Sequence, residues 1–188
     1  YGLGEEHRAK RAPDVFTGPP AFYPFTKIVG RALGVSLKEV CGLTNDPRFL
    51  DGVVPSANVF ATANEACMYF EMLRCGGRLN GQQIFAESTI RQAVARAAFT
   101  EIDSVMKLPV NYGLGFMLGS PMLSLFGPRT GGAFGHMGFT NVLVWADPAR
   151  EMSCAFLNNG KPFVTPELLA WFNIPRTIAS LVPARQAA

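Results

Sequence analysis

The feature of this sequence best suited to chemistry is a histidine framed by glycines. Gly135 directly precedes His136, and Gly138 follows two residues later. Glycine weakens the interior of a strand, and a common reason for its presence there is the close approach of a ligand or of another backbone. The spacing therefore predicts a strand that presents one imidazole beside a position left open for a ligand. The alternative is a structural histidine whose hydrogen bonds are satisfied at the end of a strand.

The residues after this histidine predict the buried hairpin that would position it. Val142–Trp145 is a near-continuous apolar run, which suits a strand covered on both faces. Asp147-Pro148 predicts a turn, because proline presets its own φ and has no N–H for a ladder. A second apolar run ends at Asn158-Asn159-Gly160. We therefore expect a hairpin over 133–158, with His136 at its mouth.

A helix is predicted well before this hairpin. Thr62 and Glu65 have the spacing of a capping box. The apolar residues that follow recur with the period of a helix, and the pattern stops at Gly76-Gly77. The members of this apolar face are Ala63, Ala66, Cys67, Phe70 and Leu73.

Weaker sequence patterns predict further helices and a strand in the central and C-terminal parts. Residues 87–98 predict a second helix, and 112–118 predict a strand. Thr165-Pro166 predicts the start of a last helix, in which Pro175 would produce a kink or an interruption. Helices before an antiparallel sheet, with one more helix after it, define an α+β fold.

The N-terminal part has a different composition. The first 55 residues carry six of the fourteen prolines. They predict loops with short helices near 24–33 and 36–41. We expect this stretch to lie over a cleft instead of forming its floor.

Several segments together resemble one enzyme superfamily. His136-Met137-Gly138, with Asp147-Pro148 and Asn158-Asn159-Gly160 downstream, resembles the third active-site motif and following hairpin of the serine β-lactamases and penicillin-binding proteins. The likeness is greatest to the esterase branch related to class C β-lactamases, in which Lys-Thr-Gly is often replaced by His-x-Gly. Residues 55–65 and 2–7 resemble further segments of that branch.

The resemblance covers the whole chain but only the C-terminal half of such a protein. It implies that residues 1–188 are the C-terminal portion of a single β-lactamase-like domain with a partial transpeptidase-like fold. In it, 1–55 would be the loop-rich segment over the cleft, 56–100 the helical part, and 110–188 the sheet with its terminal helix. The missing N-terminal half of the domain would then be the partner of this chain.

The resemblance also implies roles for the residues of the motif. The amide of Phe139 would be one of two N–H donors to the substrate oxygen, and Gly138 would leave room for the substrate backbone. His136 stands where many relatives have lysine. Histidine, with a reference pKa of about 6.5, is mostly neutral at pH 7, so an ester or amide substrate without an essential carboxylate is favoured. Met137 belongs to the motif as a substrate-binding candidate, although strand alternation points its side chain toward the core.

The nucleophile of such an enzyme is not visible in this chain. None of the four tyrosines is followed two positions later by Asn or Ser, as the second motif of the superfamily requires. Ser104 and Lys107 match Ser-x-x-Lys, but Pro109 would break the helix that must carry both side chains on one face. We interpret this match as a decoy and expect the isolated chain to be inactive. The alternatives are a catalytically silent relative that binds a ligand or partner, and an unrelated α+β domain with a chance motif.

Composition argues against nucleic-acid binding, a transmembrane helix and a metal site. The 188 residues suffice for one core, and the net charge of +3 comes from dispersed Lys and Arg, which does not indicate nucleic-acid binding. No apolar run approaches the roughly 18 residues of a transmembrane helix. The four cysteines lack zinc-site spacing, and His7 lies far from His136. We therefore expect neither a metal nor another cofactor.

Overall fold

A computed structural model gives the structure of the chain and describes residues 2–18, 23, 27, 30–31, 34–55, 57–97, 101–102, 109–138, 141–162 and 166–185. Within these residues the α-helices are α1 (Glu5–Arg8), α2 (Leu37–Thr44), α3 (Pro47–Asp51), α4 (Ala63–Arg74), α5 (Glu87–Val94) and α6 (Pro166–Leu181). The strands are β1 (Val15–Phe16), β2 (Arg78–Leu79), β3 (Gln82–Gln83), β4 (Glu101–Ile102), β5 (Pro109–Tyr112), β6 (Met117–Leu118), β7 (Phe134–Gly138), β8 (Val142–Asp147), β9 (Met152–Phe156) and β10 (Gly160–Lys161).

Six of these strands form one antiparallel sheet, in the order β4-β5-β6-β7-β8-β9. The register of β7 on β8 pairs His136 with Val144 and Gly138 with Val142. The register of β8 on β9 pairs Trp145 with Cys154. The region predicted as a hairpin, 133–158, forms the three strands β7, β8 and β9, which are the best-paired strands of the sheet and end at its β9 edge. The α+β fold class is confirmed.

The two faces of the sheet bury two separate apolar clusters. On one face, Leu143 and Trp145 pack with Phe126 and with Trp171 of α6. On the other face, residues of α4 and α5 pack on β7 and β8, and the buried members of that cluster are Phe70, Met72, Leu73, Ile90, Phe134 and Ala146. Consecutive side chains of a strand point to opposite faces, so β8 needs apolar residues throughout. This confirms the prediction that Val142–Trp145 is covered on both faces.

Helix α4 begins at the predicted capping box. The Thr62 hydroxyl accepts from the backbone N–H of Glu65, and the Glu65 carboxylate accepts from the backbone N–H of Thr62. Hydrogen bonding to Thr62 lowers the pKa of Glu65, which keeps this cap charged. The helix ends at Arg74, and Gly76 and Gly77 then adopt φ of +66° and +86°. Helix α2 has a capping box of the same kind at Ser36.

Two predicted elements are shorter than the sequence suggested. The strand predicted over 112–118 is wrong as a single strand, because a turn at 113–116 with Gly115 at φ +82° divides it into β5 and β6. The helix predicted over 87–98 ends at Val94, because the chain beyond it is extended. There the Ala97 N–H donates to the Tyr112 carbonyl, so pairing with β5 replaces helical hydrogen bonding.

Helix α6 runs through Pro175, so of the two predicted effects the interruption is wrong and the kink stays a prediction. Proline removes one helical hydrogen bond and disfavours a helix interior by about 3 kcal/mol. Tertiary packing offsets this penalty, because Trp171, Pro175 and Ala179 are buried along one side of the helix. The helix also lies close to Gly127: a Cβ on that glycine would be only 2.6 Å from the Pro175 carbonyl oxygen.

The N-terminal segment is tied to the C-terminal end of the sheet. β1 pairs in parallel with β10, with Val15 opposite Gly160. Nothing in the sequence indicated this pair, because strands of two residues have no periodicity to detect. The helix predicted near 36–41 is confirmed as α2, whereas most of 24–33 lies outside the described residues.

Candidate active site

His136 stands on β7 with an exposed side chain. Its Nδ1 lies 2.7 Å from the backbone oxygen of Met137. A carbonyl oxygen can only accept, so this contact requires that Nδ1 carry the proton. In the neutral ring Nε2 is then left with a lone pair, and His136 can accept a hydrogen bond or a proton through that atom.

The two glycines around this histidine have different structural roles. A Cβ on Gly135 would lie 2.2 Å from the Val144 carbonyl oxygen and 2.6 Å from the Trp145 Cβ. Gly135 therefore permits the close approach of the neighbouring strand. A Cβ on Gly138 would lie 3.1 Å from side-chain atoms of Val142, and, its chain neighbours apart, no atom of another described residue would be closer to it than 3.9 Å. Gly138 is therefore the glycine that can leave room for a ligand.

Of the other two residues assigned from the motif, the structure describes Met137 but not Phe139. Met137 is partly buried and packs against the cluster of Leu143, Trp145 and Trp171, on the face opposite to His136. Its carbonyl is the acceptor for the imidazole. Phe139 lies outside the described residues, as do Ser104 and Lys107. The assignment of Phe139 as a donor and of Ser104-x-x-Lys107 as a decoy both remain predictions.

Three aromatic residues of the second apolar cluster lie on the face of the sheet that carries His136. They are Phe70, Phe116 and Phe134, whose rings contact one another at centroid distances of 5.6 to 6.5 Å. Phe134 precedes His136 by two residues and so shares its face. Phe116 comes directly before Met117, which pairs with Gly135, so it enters β6 beside the histidine. The exposed imidazole therefore shares its face of the sheet with a buried apolar cluster.

Asn141 is a residue of this region that the sequence did not single out. It closes the connection between β7 and β8 with φ of +57° and is only 9% exposed. Its Nδ2 donates to the Gly160 carbonyl at 3.3 Å, whereas its buried Oδ1 has no donor among the described residues. Asparagine tolerates the left-handed region better than most residues, and that was the one signal available in the sequence.

A second missed feature is a polar cluster under the same corner. The ammonium group of Lys161, with a side chain only 7% exposed, lies 3.5 Å from the Asp14 carboxylate and donates to the Asn158 carbonyl at 2.8 Å. Asn45 of the turn after α2 accepts from the Asp14 N–H and donates to its carbonyl. These bonds fasten the N-terminal segment to the end of the sheet near Asn141.

Other surfaces of the described chain offer less for catalysis. A groove of about 350 Å³ between α4 and α5 is lined by Arg74, Arg78 and Arg91, but not by His136 or Gly138. Two of these arginines already form ion pairs, Arg74 with Glu71 and Arg91 with Glu87. Over the described ranges, no three His, Cys, Asp or Glu side chains are grouped as metal ligands, and no helix has the length and apolar character to cross a bilayer.

Comparison with known families assigns the chain. The family model described as Beta-lactamase matches residues 4–176, so the chain belongs to the β-lactamase family. It is 22% identical over 120 residues to the esterase/β-lactamase LipL of Mycobacterium tuberculosis (strain ATCC 25618 / H37Rv), a match that covers 64% of this chain and 27% of that protein.

Solved structures agree with the family. A penicillin-binding protein homologue from Caulobacter crescentus superposes with a TM-score of 0.71 at 26% identity, over 91% of this chain and 46% of its own. A family VIII carboxylesterase has a TM-score of 0.70 at 18% identity, over 94% and 46% of the two chains. EstA from Arthrobacter nitroguajacolicus Rue61a has a TM-score of 0.64 at 20% identity, over 97% and 50%. The last two likenesses show the fold alone. The chain spans about half the length of these structures.

Proposed function

We propose that this chain is the C-terminal half of a serine hydrolase that cleaves small-molecule carboxylic esters or amides through an acyl-enzyme. The observation that carries the proposal is the exposed imidazole of His136 beside Gly138 in a chain of the β-lactamase family. By the resemblance described above, β7 would be the strand of the third motif. The attacking hydroxyl and its base would come from sequence outside this chain, supplied by the N-terminal half of the same domain.

His136 would act as a hydrogen-bond acceptor at the cleft wall. Its Nδ1–H is engaged by the Met137 carbonyl, so Nε2 is the atom that can face the nucleophile, its base or the leaving group. An uncharged imidazole gives a substrate carboxylate little of the attraction that a lysine ammonium would give. This supports an ester or amide without an essential carboxylate as substrate.

The backbone beyond His136 would supply the electrostatic part of the catalysis. The amide of Phe139 would donate to the oxygen on which charge develops, with the nucleophile's own amide as the second donor. Gly138 would let the substrate lie along β7. Met137 would contribute through its carbonyl and through the packing that holds the strand.

The test is made on the intact protein that contains this segment. His136→Ala should lower turnover of a p-nitrophenyl ester by roughly tenfold to a thousandfold, which is the range for lost transition-state contacts. The melting temperature should change little, because the His136 side chain is exposed. Gly138→Val should reduce turnover further, because the branched side chain would enter the space left for the substrate.

Cys154→Ala is the control for both variants. Cys154 lies two strands from His136, on the Trp145 face of the sheet, so its replacement tests general packing without touching the cleft. Full activity per folded molecule in both motif variants, with a normal control, would show that His136 is structural. Absence of hydrolysis by the intact wild-type protein would instead favour a silent, ligand-binding relative.

A further inference from the structure

The groove between α4 and α5 carries a cation that no acidic side chain neutralises. Three arginines line this groove, which has a volume of about 350 Å³. Arg74 pairs with Glu71 and Arg91 pairs with Glu87, so the charges of these two are compensated locally. Arg78 on β2 has an exposed side chain and no carboxylate partner among the described residues. The groove therefore has one uncompensated positive charge at its edge.

Hydrogen bonds orient the Arg78 guanidinium. Its Nε donates to Oε1 of Gln83, the residue opposite it on β3, at 2.9 Å. The Gln83 amide nitrogen donates in turn to the carbonyls of Gly76 and Phe85. Both polar atoms of the Gln83 side chain are thus engaged in holding Arg78. The two terminal nitrogens of Arg78 have no partner among the described residues, and they form the end of a planar fork that can bind an oxyanion through two parallel hydrogen bonds.

The hairpin of β2 and β3 is fastened to the end of α4. The Gly77 N–H donates to the Met72 carbonyl at 2.9 Å, and the Gly77 carbonyl accepts from the N–H of Ile84 at 2.8 Å. Gly77 has φ of +86°, and a Cβ there would lie 2.3 Å from the Phe85 carbonyl oxygen. Only glycine permits this close approach. The main chain of the fold therefore sets the position of Arg78 on the wall of the groove.

The bottom of the groove is apolar. Side chains of the second apolar cluster form it, namely Leu73, Ile90, Val94 and Phe134. Small-molecule sites combine an apolar lining with a few placed polar groups and have volumes of roughly 300–1,000 Å³. A ligand that fits this groove would have an anionic group for the edge and a compact apolar body for the bottom.

The charge balance selects among organic anions. A carboxylate has one negative charge and two coplanar oxygens that match the end of a guanidinium. A phosphate monoester carries a charge of about −1.5 to −2 at pH 7, which exceeds the one uncompensated charge. We propose that the groove between α4 and α5 is a binding site for a small apolar carboxylate, whose oxygens pair with the terminal nitrogens of Arg78. Neither His136 nor Gly138 lines this groove, so binding there requires no hydrolytic activity.

The test is a titration of the intact protein that contains this segment with benzoate, followed by NMR of the backbone amides. Benzoate should shift the amides of β2, β3 and α5 and reach saturation. Benzamide has the same shape without the charge and should bind about tenfold more weakly or less, because hydrogen bonds to charged groups are the stronger ones. Phenyl phosphate should bind no more tightly than benzoate. Absence of saturable shifts, equal affinity for benzamide, or tighter binding of phenyl phosphate overturns the proposed site.

Two substitutions at matched arginines locate the anion. Arg78→Gln should weaken benzoate binding about tenfold or more, because it removes both the charge and the fork. Arg176→Gln is the control, since Arg176 is an exposed arginine of α6, which packs on the opposite face of the sheet. It makes the same change of charge and should bind benzoate as the wild type does. Equal affinities in the two variants contradict the pairing with Arg78.

A third variant covers the case in which Arg78→Gln does not fold. Gln83→Leu keeps the charge of Arg78 but releases its guanidinium, and it should weaken benzoate binding roughly threefold or more, because the side chain must then be ordered on binding. Wild-type affinity in Gln83→Leu contradicts the preorganised fork.

A carboxylate is also a product of ester hydrolysis, so His136→Ala separates the groove from the candidate active site. The shifts of the β2, β3 and α5 amides and their benzoate affinity should persist in His136→Ala, whatever its turnover. If they are lost in His136→Ala and kept in Arg78→Gln, benzoate binds in the candidate cleft and the proposed site is wrong.

Discussion

At the scale of single residues, the most deeply buried ion pair of the described residues lies away from the candidate site. The Arg150 side chain is 4% exposed and Asp147 is 1% exposed, with 2.8 Å between Nη1 and Oδ2. The same guanidinium donates to the carbonyls of Ala179 and Val182 at the end of α6, at 3.0 and 2.9 Å, and to that of Arg129 at 3.0 Å. The Arg150 side chain thus joins the turn between β8 and β9, the loop that contains Arg129 before β7, and the end of α6.

We expect Arg150→Ala to lower the free energy of unfolding by about 3–5 kcal/mol, because it leaves Asp147 buried without its charge partner. Arg91→Ala, which breaks the exposed pair with Glu87, should cost less than about 0.5 kcal/mol. Urea unfolding of both variants measures the contrast. Similar losses in the two would mean that the buried network contributes no more than a surface pair.

The Cys154 thiol makes the free energy of unfolding change with pH in the alkaline range. Burial raises the pKa of its thiol from 9.0 to about 11, and the negative charges of Cys67 and Asp147 add to the effect. The folded state therefore holds this proton more tightly than the unfolded state does. The resulting stabilisation is complete below about pH 9 and is lost as the pH rises through about 11.

The stability difference between wild type and Cys154→Ala should accordingly shrink as the pH rises from about 8 to about 10.5. Met152→Ala, on the same strand and against the same cluster, has no titrating group and should show a constant difference. Chemical unfolding at a series of pH values measures both. A Cys154→Ala difference that does not change with pH would rule out the raised pKa.

Residue types predicted part of the candidate site. His136 and Gly138 stood out because a histidine and a glycine are unusual inside an otherwise apolar hairpin. Asn141 and the Lys161–Asp14 pair did not, because their partners are distant in sequence and are brought together only by the fold. The role of Gly135 was also ambiguous, because a glycine in a strand is expected both where a ligand approaches closely and where a neighbouring backbone does.

At the scale of elements, the hairpin of β7 and β8 depends on that glycine. We expect Gly135→Ala to destabilise the protein by about 1–3 kcal/mol or more, because the added Cβ would overlap the Val144 carbonyl and force the strands apart. Gly132→Ala is the matched control, since a Cβ there meets nothing within 4 Å. Thermal unfolding compares the two, and equal melting temperatures would contradict the close-approach role of Gly135.

The elements that sequence predicted well are those with a long local signal. Helix α4 had a capping box and an apolar face, and β8 had an uninterrupted apolar run. The errors occurred where tertiary contacts decide. Val94 ends α5 because the next residues pair with β5, and Pro175 stays helical because α6 packs against Gly127. Two-residue strands such as β1 and β10 have no periodic signal at all.

At the scale of the whole molecule, the described sheet ends in an apolar edge. β9 pairs with β8 on one side and has no strand on its other side among the described residues. Phe156 and Leu157 at its end are 37% and 39% exposed. An open edge with apolar side chains is a template for pairing with another chain. In the family relationship proposed above, the N-terminal half would supply the strand that covers it.

We therefore expect the isolated 188-residue chain to form oligomers or aggregates and to become monodisperse when the N-terminal half is co-expressed. Phe156→Lys should reduce self-association, because a charged side chain at an edge disfavours pairing. Leu114→Lys serves as the control, since Leu114 is 66% exposed in the turn between β5 and β6, remote from β9. Size-exclusion chromatography with light scattering measures the mass of each species. A wild-type chain that is a monomer and melts cooperatively on its own would contradict the split-domain organisation, because it would show that the β9 edge needs no partner.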